Sequence, residues 1–247
     1  MRAPDQASAG HVIAGAICLC VFAGFTLGVF GVWNANPIDA AIASQVLRWR
    51  EPALTDVMLV ITSLGDSAYL IFMGFLIVAA FAAQRAWRET GAAVTAFLLL
   101  PLAVSMIKAT LARVRPTAEL YSGADAFSFP SGHAANSALI YGTLALMAFT
   151  SLKGAAKWVA TSALVLLIVV IAFSRIYIGA HWPSDALAGL ALGAGVLSML
   201  SWVLRHTPPK PATPRTTPFL LACFALTAPL YAWYALPFAR TFYTALS

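Results

Sequence analysis

Charged residues are scarce in this chain. Asp, Glu, Lys and Arg make up 10% of its 247 residues, whereas soluble domains usually carry about a quarter. Hydrophobic residues reach 61%, and the mean hydropathy is +0.83. This composition excludes an ordinary soluble domain and indicates an integral membrane protein.

Acidic residues and cysteines are also few. The nine Asp and Glu residues are not clustered; since magnesium sites need several oxygen ligands, we expect no metal site and no cofactor. Cys18, Cys20 and Cys223 fall in apolar stretches, so we expect neither a zinc site nor a disulfide. The net charge of +6 does not indicate nucleic-acid binding, because the basic residues fall in short loops or polar motifs, where membrane topology explains them better.

Long apolar stretches fill most of the sequence. Most of them have the roughly 17 to 25 residues that a helix needs to cross a bilayer. They predict an all-α fold, a polytopic bundle of membrane helices. The predicted spans cover residues 11–33, 67–84, 91–107, 134–151, 158–173, 184–204 and 218–237.

Two segments between the spans are more polar. In residues 34–66, Ile38, Ile42 and Val46 recur at helical spacing, which favours an amphipathic helix on the membrane surface; an ordered loop is the alternative. Residues 205–217 are rich in proline and predict a non-helical cytoplasmic linker before the last span.

Basic residues outside the motifs mark alternate connections between spans. By the positive-inside rule these connections are cytoplasmic. Residues 1–33 are interpreted as a retained anchor, since no small-residue cleavage signature lies nearby, and the N-terminus is expected to be cytoplasmic. The short loops suggest a bacterial inner membrane with the polar motifs facing the periplasm. The basic residues that mark the cytoplasmic connections are Arg85, Arg88, Lys153, Lys157, Arg205, Lys210 and Arg215.

The first polar motif follows the third span. Lys108 is followed seven residues later by Arg115. If the helix continues through this interval, both side chains project from one face, about two turns apart, and Pro116 ends the helix. The alternative is that both are interfacial cations whose charged ends reach towards water.

The second motif, Pro130-Ser131-Gly132-His133, precedes the fourth span. A small-residue turn entering a helix presents backbone N–H groups and the positive end of the helix dipole to an anion. Ser131 would cap the helix or donate its hydroxyl, Gly132 would allow close approach of the backbone, and His133 would place an imidazole beside the anion. The alternative is a helix cap with an incidental histidine.

The third motif joins the fifth and sixth spans. Arg175 ends one span, His181 lies in the turn, and Pro183 suits the first position of the next helix. Asp185 is close enough in sequence to hydrogen-bond one nitrogen of His181, which leaves the other nitrogen free to attack. A structural His–Asp hydrogen bond is the alternative.

Together the three motifs resemble the type 2 phosphatidic acid phosphatase (PAP2) superfamily over about residues 55–204. Its signature, Lys-x6-Arg-Pro, Pro-Ser-Gly-His and Ser-Arg-x5-His-x3-Asp, is met at every fixed position. The matching residues are Lys108, Arg115, Pro116, Pro130, Ser131, Gly132, His133, Ser174, Arg175, His181 and Asp185.

The resemblance implies a mechanism without metal or cofactor. His181 would attack phosphorus, oriented by Asp185, and form a phosphohistidine; His133 would protonate the leaving oxygen and then activate water. Arg113 and Tyr177, outside the signature, are candidates for support or substrate contact. The phosphate-binding residues would be Lys108, Arg115, Ser131, Gly132 and Arg175.

The resemblance also implies a six-helix phosphatase core, over residues 67–204, and leaves 218–247 as an extra C-terminal helix without a role beyond packing or a partner surface. The expected substrate is a phosphorylated lipid in the bilayer: a polyprenyl diphosphate, phosphatidic acid, phosphatidylglycerol phosphate or a lipid A phosphate. The alternatives are a lipid phosphotransferase with the same site, a non-catalytic protein that binds or transports anionic lipid, and a vanadate-dependent haloperoxidase, which the apolar spans argue against.

Overall fold

The computed structural model describes residues 6–31, 36–117, 126–206 and 216–243. Within these ranges the chain is all-α, as predicted, apart from an isolated β bridge between Val114 and Phe127. The nine helices of the described ranges are α1 (Gln6–Phe30), α2 (Asn36–Leu47), α3 (Pro52–Ser63), α4 (Ser67–Ala83), α5 (Trp87–Leu111), α6 (Gly132–Ser151), α7 (Gly154–Tyr177), α8 (Pro183–His206) and α9 (Thr216–Tyr243).

The membrane character is carried by most of these helices. Among the described residues, five helices are long and apolar enough to cross a bilayer: α1, α5, α7, α8 and α9. Helices α3 and α4 meet at a bend of 42° and can count together as a sixth. The chain is an integral membrane protein. Helix α6, predicted as a span, does not qualify, because polar residues such as Asn136 and Ser137 lower its hydropathy.

Helix α6 runs through the centre of the bundle. It packs against α7 and α8 and also contacts α4, α5 and α9. Its polar groups bond within the protein: the Tyr141 hydroxyl donates to the carbonyl of Leu64 at 2.5 Å, and Thr143 Oγ1 donates to the carbonyl of Leu139 at 2.7 Å. Because buried polar groups are costly unless they are hydrogen-bonded, these contacts explain how a helix with polar residues occupies the interior.

The connections place several helix ends together. Two residues join α6 to α7, and residues 178–182 join α7 to α8, so consecutive helices run antiparallel. The end of α7 and the beginnings of α6 and α8 therefore lie at one end of the bundle. The connections that contain Arg85 and Lys153 lie at the opposite end, in keeping with the predicted separation of loop cations from the motifs.

The semi-polar segment 34–66 forms two helices, α2 and α3. In α2, Ile38 and Ile42 are 65% and 45% exposed, whereas Asp39 is 3% exposed. The isoleucines are thus available to a membrane surface, and the polar residue between them points into the protein. A surface-lying orientation remains a prediction. Most of the predicted linker, 207–215, lies outside the described residues.

Helices α6 and α8 approach closely through glycines. A Cβ atom at Gly189 would lie 2.5 Å from the carbonyl oxygen of Ser131, and one at Gly193 would lie 2.2 Å from that of Ala135. Both distances are too short for any side chain, so α8 can lie this close to the beginning of α6 only because these two positions carry none.

We therefore expect Gly193→Ala to destabilise the bundle by about 1–3 kcal/mol, the usual cost of overpacking. Gly91→Ala in α5 is the matched control, because nothing lies within 4 Å of a Cβ atom there. Thermal unfolding in detergent should give a lower Tm for the first variant only. An equal Tm for both variants would contradict the close contact.

Candidate active site

The three sequence motifs meet at a cavity of about 400 Å³ at the end of the bundle. It is surrounded by the C-terminal half of α5, the beginning of α6, the end of α7, the α7–α8 connection, the end of α9 and residues 64–66, which form the α3–α4 corner. Ser131 and Asp185 lie behind its wall and are fully buried. The predicted site residues that line it are Lys108, Arg115, Gly132, His133, Arg175 and His181.

His181 is the most enclosed imidazole of the site, with 1% of its surface exposed. Its Nε2 atom lies 3.2 Å from Nη1 of Arg115, and its Nδ1 atom lies 3.6 Å from Oδ2 of Asp185. Arginine has donors only, so Nε2 accepts and the ring proton belongs on Nδ1, facing the carboxylate. The lone pair of Nε2 therefore faces Arg115, which lines the cavity together with His181.

Electrostatics favour the neutral form of this ring. Burial, and after it the positive charges of the surrounding cations, lowers the pKa of the His181 imidazole well below its usual value of 6.5. A neutral imidazole has the lone pair that a nucleophile needs.

Asp185 is fixed from several directions. Its Oδ2 atom accepts the backbone N–H of Trp182 at 2.8 Å, and its Oδ1 atom lies 2.5 Å from Nη1 of Arg113. Its backbone carbonyl accepts the N–H of Ser131 at 3.0 Å, which links the beginnings of α6 and α8. The carboxylate is therefore placed beside His181 by contacts from two other segments.

Arg113 forms a buried ion network behind the cavity. Besides Asp185, it binds Asp39 of α2 at 2.6 Å and the Ser184 hydroxyl at 2.8 Å. Ser184 in turn donates its backbone N–H to Asp39 at 2.8 Å. Arg113, left by the sequence as a candidate for support or substrate contact, supports Asp185 and does not line the cavity.

Each of the three cavity cations has its head anchored by a neutral oxygen. Lys108 donates to the carbonyl of Phe127 at 3.1 Å, and Arg115 donates to that of Ala180 at 2.7 Å. Arg175 donates to the hydroxyls of Thr62 at 2.9 Å and Tyr243 at 3.2 Å. These contacts fix three positively charged heads around the cavity, which suits it to an anion.

The helical spacing proposed for the first motif is wrong. Helix α5 ends at Leu111, Ala112 adopts a left-handed conformation with φ of 47°, and Arg115 belongs to the following irregular segment. The bridge of Val114 with Phe127 and the bond from the Ser128 N–H to the Arg113 carbonyl, 2.7 Å, hold that segment. Lys108 and Arg115 thus reach one cavity through a turn of the chain.

The second motif has the predicted form. Ser131 caps α6, and its hydroxyl oxygen accepts the N–H of Ala134 at 3.4 Å. The next residue, Gly132, begins the helix, and the His133 imidazole lines the cavity with its Nε2 atom 3.0 Å from Oδ1 of Asp66.

Several residues of the site were not predicted. Asp66, Thr62 and Tyr243 contact signature residues, and Asp39 holds the Arg113 network. The sequence carried a signal only for the two aspartates, because an aspartate in so apolar a chain is expected to have a polar or charged partner. Tyr177 lies away from the cavity, where its hydroxyl is 3.1 Å from that of Thr55.

No group of three or more His, Cys, Asp or Glu side chains is placed to hold a metal ion in the part of the chain that the structure describes. The cations occupy the positions around the cavity that an anion would contact.

The fold and the site define an integral membrane protein with a cavity lined by three cations and two imidazoles. The model of the PAP2 superfamily matches residues 89–208. Phosphatidylglycerophosphatase B of Bacillus subtilis is 32% identical over 160 residues, which cover 63% of this chain and 77% of that protein. The chain belongs to the PAP2 superfamily, and it is a phosphatase.

Other relatives carry the same kind of name. Undecaprenyl-diphosphatase of Sulfolobus acidocaldarius is 38% identical over 39% of this chain and 42% of its own length. Lipid A 1-phosphatase of Rhizobium johnstonii is 28% identical over 54% of this chain and 61% of its own length. Among solved structures, the crystal structure of a transmembrane PAP2-type phosphatidylglycerolphosphate phosphatase from Bacillus subtilis matches with a TM-score of 0.67 and 26% identity, covering 79% of this chain and 98% of that chain.

The environment of His181 predicts a measurable titration. Because its folded pKa is lowered, the ring stays neutral as the pH falls through 6.5, and protonation occurs only below that value. NMR of protein labelled at the histidine rings, with His181→Ala to assign the resonance, should give a titration midpoint below 6.5. A midpoint at or above 6.5 would contradict the burial and cation environment.

The Arg113 network predicts a large stability effect. Arg113→Ala removes the counter-charge of two carboxylates whose side chains are at most 4% exposed, and breaking such a buried pair usually costs about 3–5 kcal/mol. Arg240→Ala, which breaks a pair with Asp56 between side chains 52% and 42% exposed, is the control and should change the Tm little. Similar losses of Tm in both variants would count against the network.

Proposed function

We propose that this protein hydrolyses the phosphomonoester or diphosphate of a membrane lipid through a phosphohistidine on His181. The observation that carries the proposal is the position of His181: it lines the cavity, with Nε2 beside Arg115 and Nδ1 facing Asp185.

In the first step, Nε2 attacks phosphorus as the bond from phosphorus to the leaving oxygen breaks. Asp185 faces the Nδ1–H group at 3.6 Å and would stabilise the positive charge that develops on the ring. His133 gives its proton to the leaving oxygen, so the lipid departs as an alcohol, or as a lipid monophosphate when the substrate is a diphosphate. Arg115, which occupies the space before Nε2, turns towards the phosphate oxygens when substrate binds.

In the second step, water attacks the phosphorus of the phosphohistidine. His133, now neutral, removes a proton from that water while the bond from phosphorus to Nε2 breaks. Inorganic phosphate leaves, and both imidazoles return to their starting protonation states. The same residues would transfer the phosphoryl group to an alcohol if one replaced the water.

Phosphate binding is assigned to the three cations and to the first turn of α6. Lys108, Arg115 and Arg175 surround the cavity and would stabilise the negative charge of the transition state. The amides of Gly132 and His133 lie in the first turn of α6, where N–H groups have no acceptor within the helix. The Ser131 hydroxyl belongs to the same turn, although the Ser131 N–H is engaged by Asp185. No metal ion is needed in this account.

The lipid class of the substrate is supported by two observations. The relatives named above are phosphatases of phosphatidylglycerol phosphate, undecaprenyl diphosphate and lipid A. In addition, an apolar groove of about 340 Å³ between α4, α5 and α6 shares Ser67, Pro101 and Asn136 with the cavity. Hydrocarbon could lie in this groove while the phosphate occupies the cavity.

The proposed setting is a bacterial inner membrane with the cavity facing the periplasm and the N-terminus in the cytoplasm. The orientation is supported by the connections that contain Arg85 and Lys153, which lie at the end of the bundle opposite the cavity. Within this arrangement, residues 1–33 would serve as an anchor and residues 67–204 as the catalytic core.

The test is phosphate release from a panel of lipid phosphates by purified protein in detergent, with and without a chelator. We expect turnover of at least one lipid class, unaffected by the chelator, and loss of at least about a thousandfold in His181→Ala, as for removal of a nucleophile. Binding of the same lipid should persist in that variant.

Three outcomes would contradict the proposal. Turnover by His181→Ala would eliminate the nucleophile, and a loss restored by magnesium would overturn the metal-free account. Formation of a phosphorylated alcohol without free phosphate would favour the phosphotransferase.

A further inference from the structure

His133 has a carboxylate partner that the family signature does not contain. Its Nε2 atom lies 3.0 Å from Oδ1 of Asp66, a residue of the α3–α4 corner that also lines the cavity. The second carboxylate oxygen of Asp66 is 3.5 Å from the hydroxyl of Tyr231 in α9. Both Asp66 and Tyr231 lie outside residues 89–208, which match the family model.

The chemistry of this contact favours the protonated imidazole. A carboxylate is an acceptor only, so Nε2 of His133 carries a proton towards Asp66 and Nδ1 is left to exchange the proton of the reaction. Burial and the cavity cations oppose a positive charge on this ring, whereas the hydrogen bond and the negative charge of Asp66 support it. An acid in the first chemical step needs such support.

Backbone hydrogen bonds hold the corner that carries Asp66. The N–H groups of Leu64, Gly65 and Asp66 donate to the carbonyls of Ile61, Thr62 and Ser63 at 3.2, 2.9 and 3.0 Å. The Leu64 carbonyl also accepts the hydroxyl of Tyr141, a residue of the same helix as His133.

The corner backbone also packs against the imidazole edge itself. A Cβ atom added at Gly65 would lie 3.0 Å from Cδ2 of His133. The corner therefore sets the orientation of the ring as well as its charge.

Helix α9 holds Asp66 from the other side. The Tyr231 ring stacks on Tyr69 with centroids 4.9 Å apart, and the Tyr69 hydroxyl lies 3.0 Å from Oγ1 of Thr227, one turn before Tyr231 in α9. These contacts direct the Tyr231 hydroxyl to the carboxylate. The C-terminal helix, which had no predicted role beyond packing or a partner surface, thus reaches the site.

We propose that Asp66 is a positioning residue that orients His133 and supports its protonated form. Tyr231 of α9 helps to hold the Asp66 carboxylate in place. The inference rests on the proposed function, because it concerns the residue assigned there as the acid. A purely structural bond between the α3–α4 corner and α6 would give the same contacts, so the test must measure the acid step.

The experiment compares two substrates, one with a poor alkoxide leaving group, phosphatidic acid, and one with an activated leaving group, p-nitrophenyl phosphate. Asp66→Asn keeps the shape and an acceptor but removes the charge. We expect kcat/KM for the poor leaving group to fall about a hundredfold, the lower end of the usual contribution of acid catalysis, and that for the activated one to change little. Asp66→Glu should recover part of the loss.

Two variants in α9 form a matched pair. Tyr231→Phe removes the hydroxyl at Asp66 and should give the same selective pattern with a smaller loss, because its contact is long. Tyr234 lies about one turn further along α9 and is 62% exposed, so Tyr234→Phe should leave kcat/KM for both substrates unchanged. Equal behaviour of the two tyrosine variants would remove α9 from the inference.

His133→Ala separates failure of the inference from failure of the proposed function. If it loses both substrates equally, the acid assignment is overturned and the inference with it. If His133→Ala lowers kcat/KM selectively for the poor leaving group, but Asp66→Asn lowers it equally for both substrates or for neither, only the inference is overturned. Non-additivity is the supporting result: the double variant should lose little beyond His133→Ala alone.

Discussion

The buried ion pair between Arg113 and Asp185 fixes the geometry on which the rest of the site depends. Both side chains are nearly inaccessible, and charges in such a place persist only when paired and hydrogen-bonded. The pair connects the segment after α5 to the beginning of α8, while Asp39 adds α2 to the same network. As a result the carboxylate beside His181 is held by several segments that are distant in sequence.

Among the charged side chains that line the cavity, cations outnumber acids. Lys108, Arg115 and Arg175 gather around two imidazoles, with their heads fixed by carbonyl and hydroxyl oxygens. This arrangement favours a bound phosphate and a neutral His181. His133 faces some of the same cations, but it alone of the two imidazoles has Asp66 at hydrogen-bond distance to support a proton on the ring.

The sequence predicted the membrane bundle and the meeting of the three motifs, since the motifs stand at span ends and antiparallel helices bring alternate ends together. Local sequence patterns also correctly predicted Ser131 as the cap of α6 and Pro183 as the first residue of α8. The continuous helix from Lys108 to Arg115 was wrong, because Ala112 turns the chain into the left-handed region. The contacts of Asp66, Tyr231 and Tyr243 could not be predicted, since they depend on how α9 packs beside α3 and α4, which no local pattern encodes.

The central claim is that Nε2 of His181 forms a bond to phosphorus. The most direct measurement is rapid acid-free quenching of the reaction with a lipid labelled at its phosphate, followed by digestion and mass spectrometry. The account predicts an acid-labile, base-stable phosphoryl group on the peptide that contains residue 181, with more of it in His133→Ala supplied with an activated substrate and none in His181→Ala. A turning-over enzyme with no labelled protein at any time, or with the label on another residue, would contradict it.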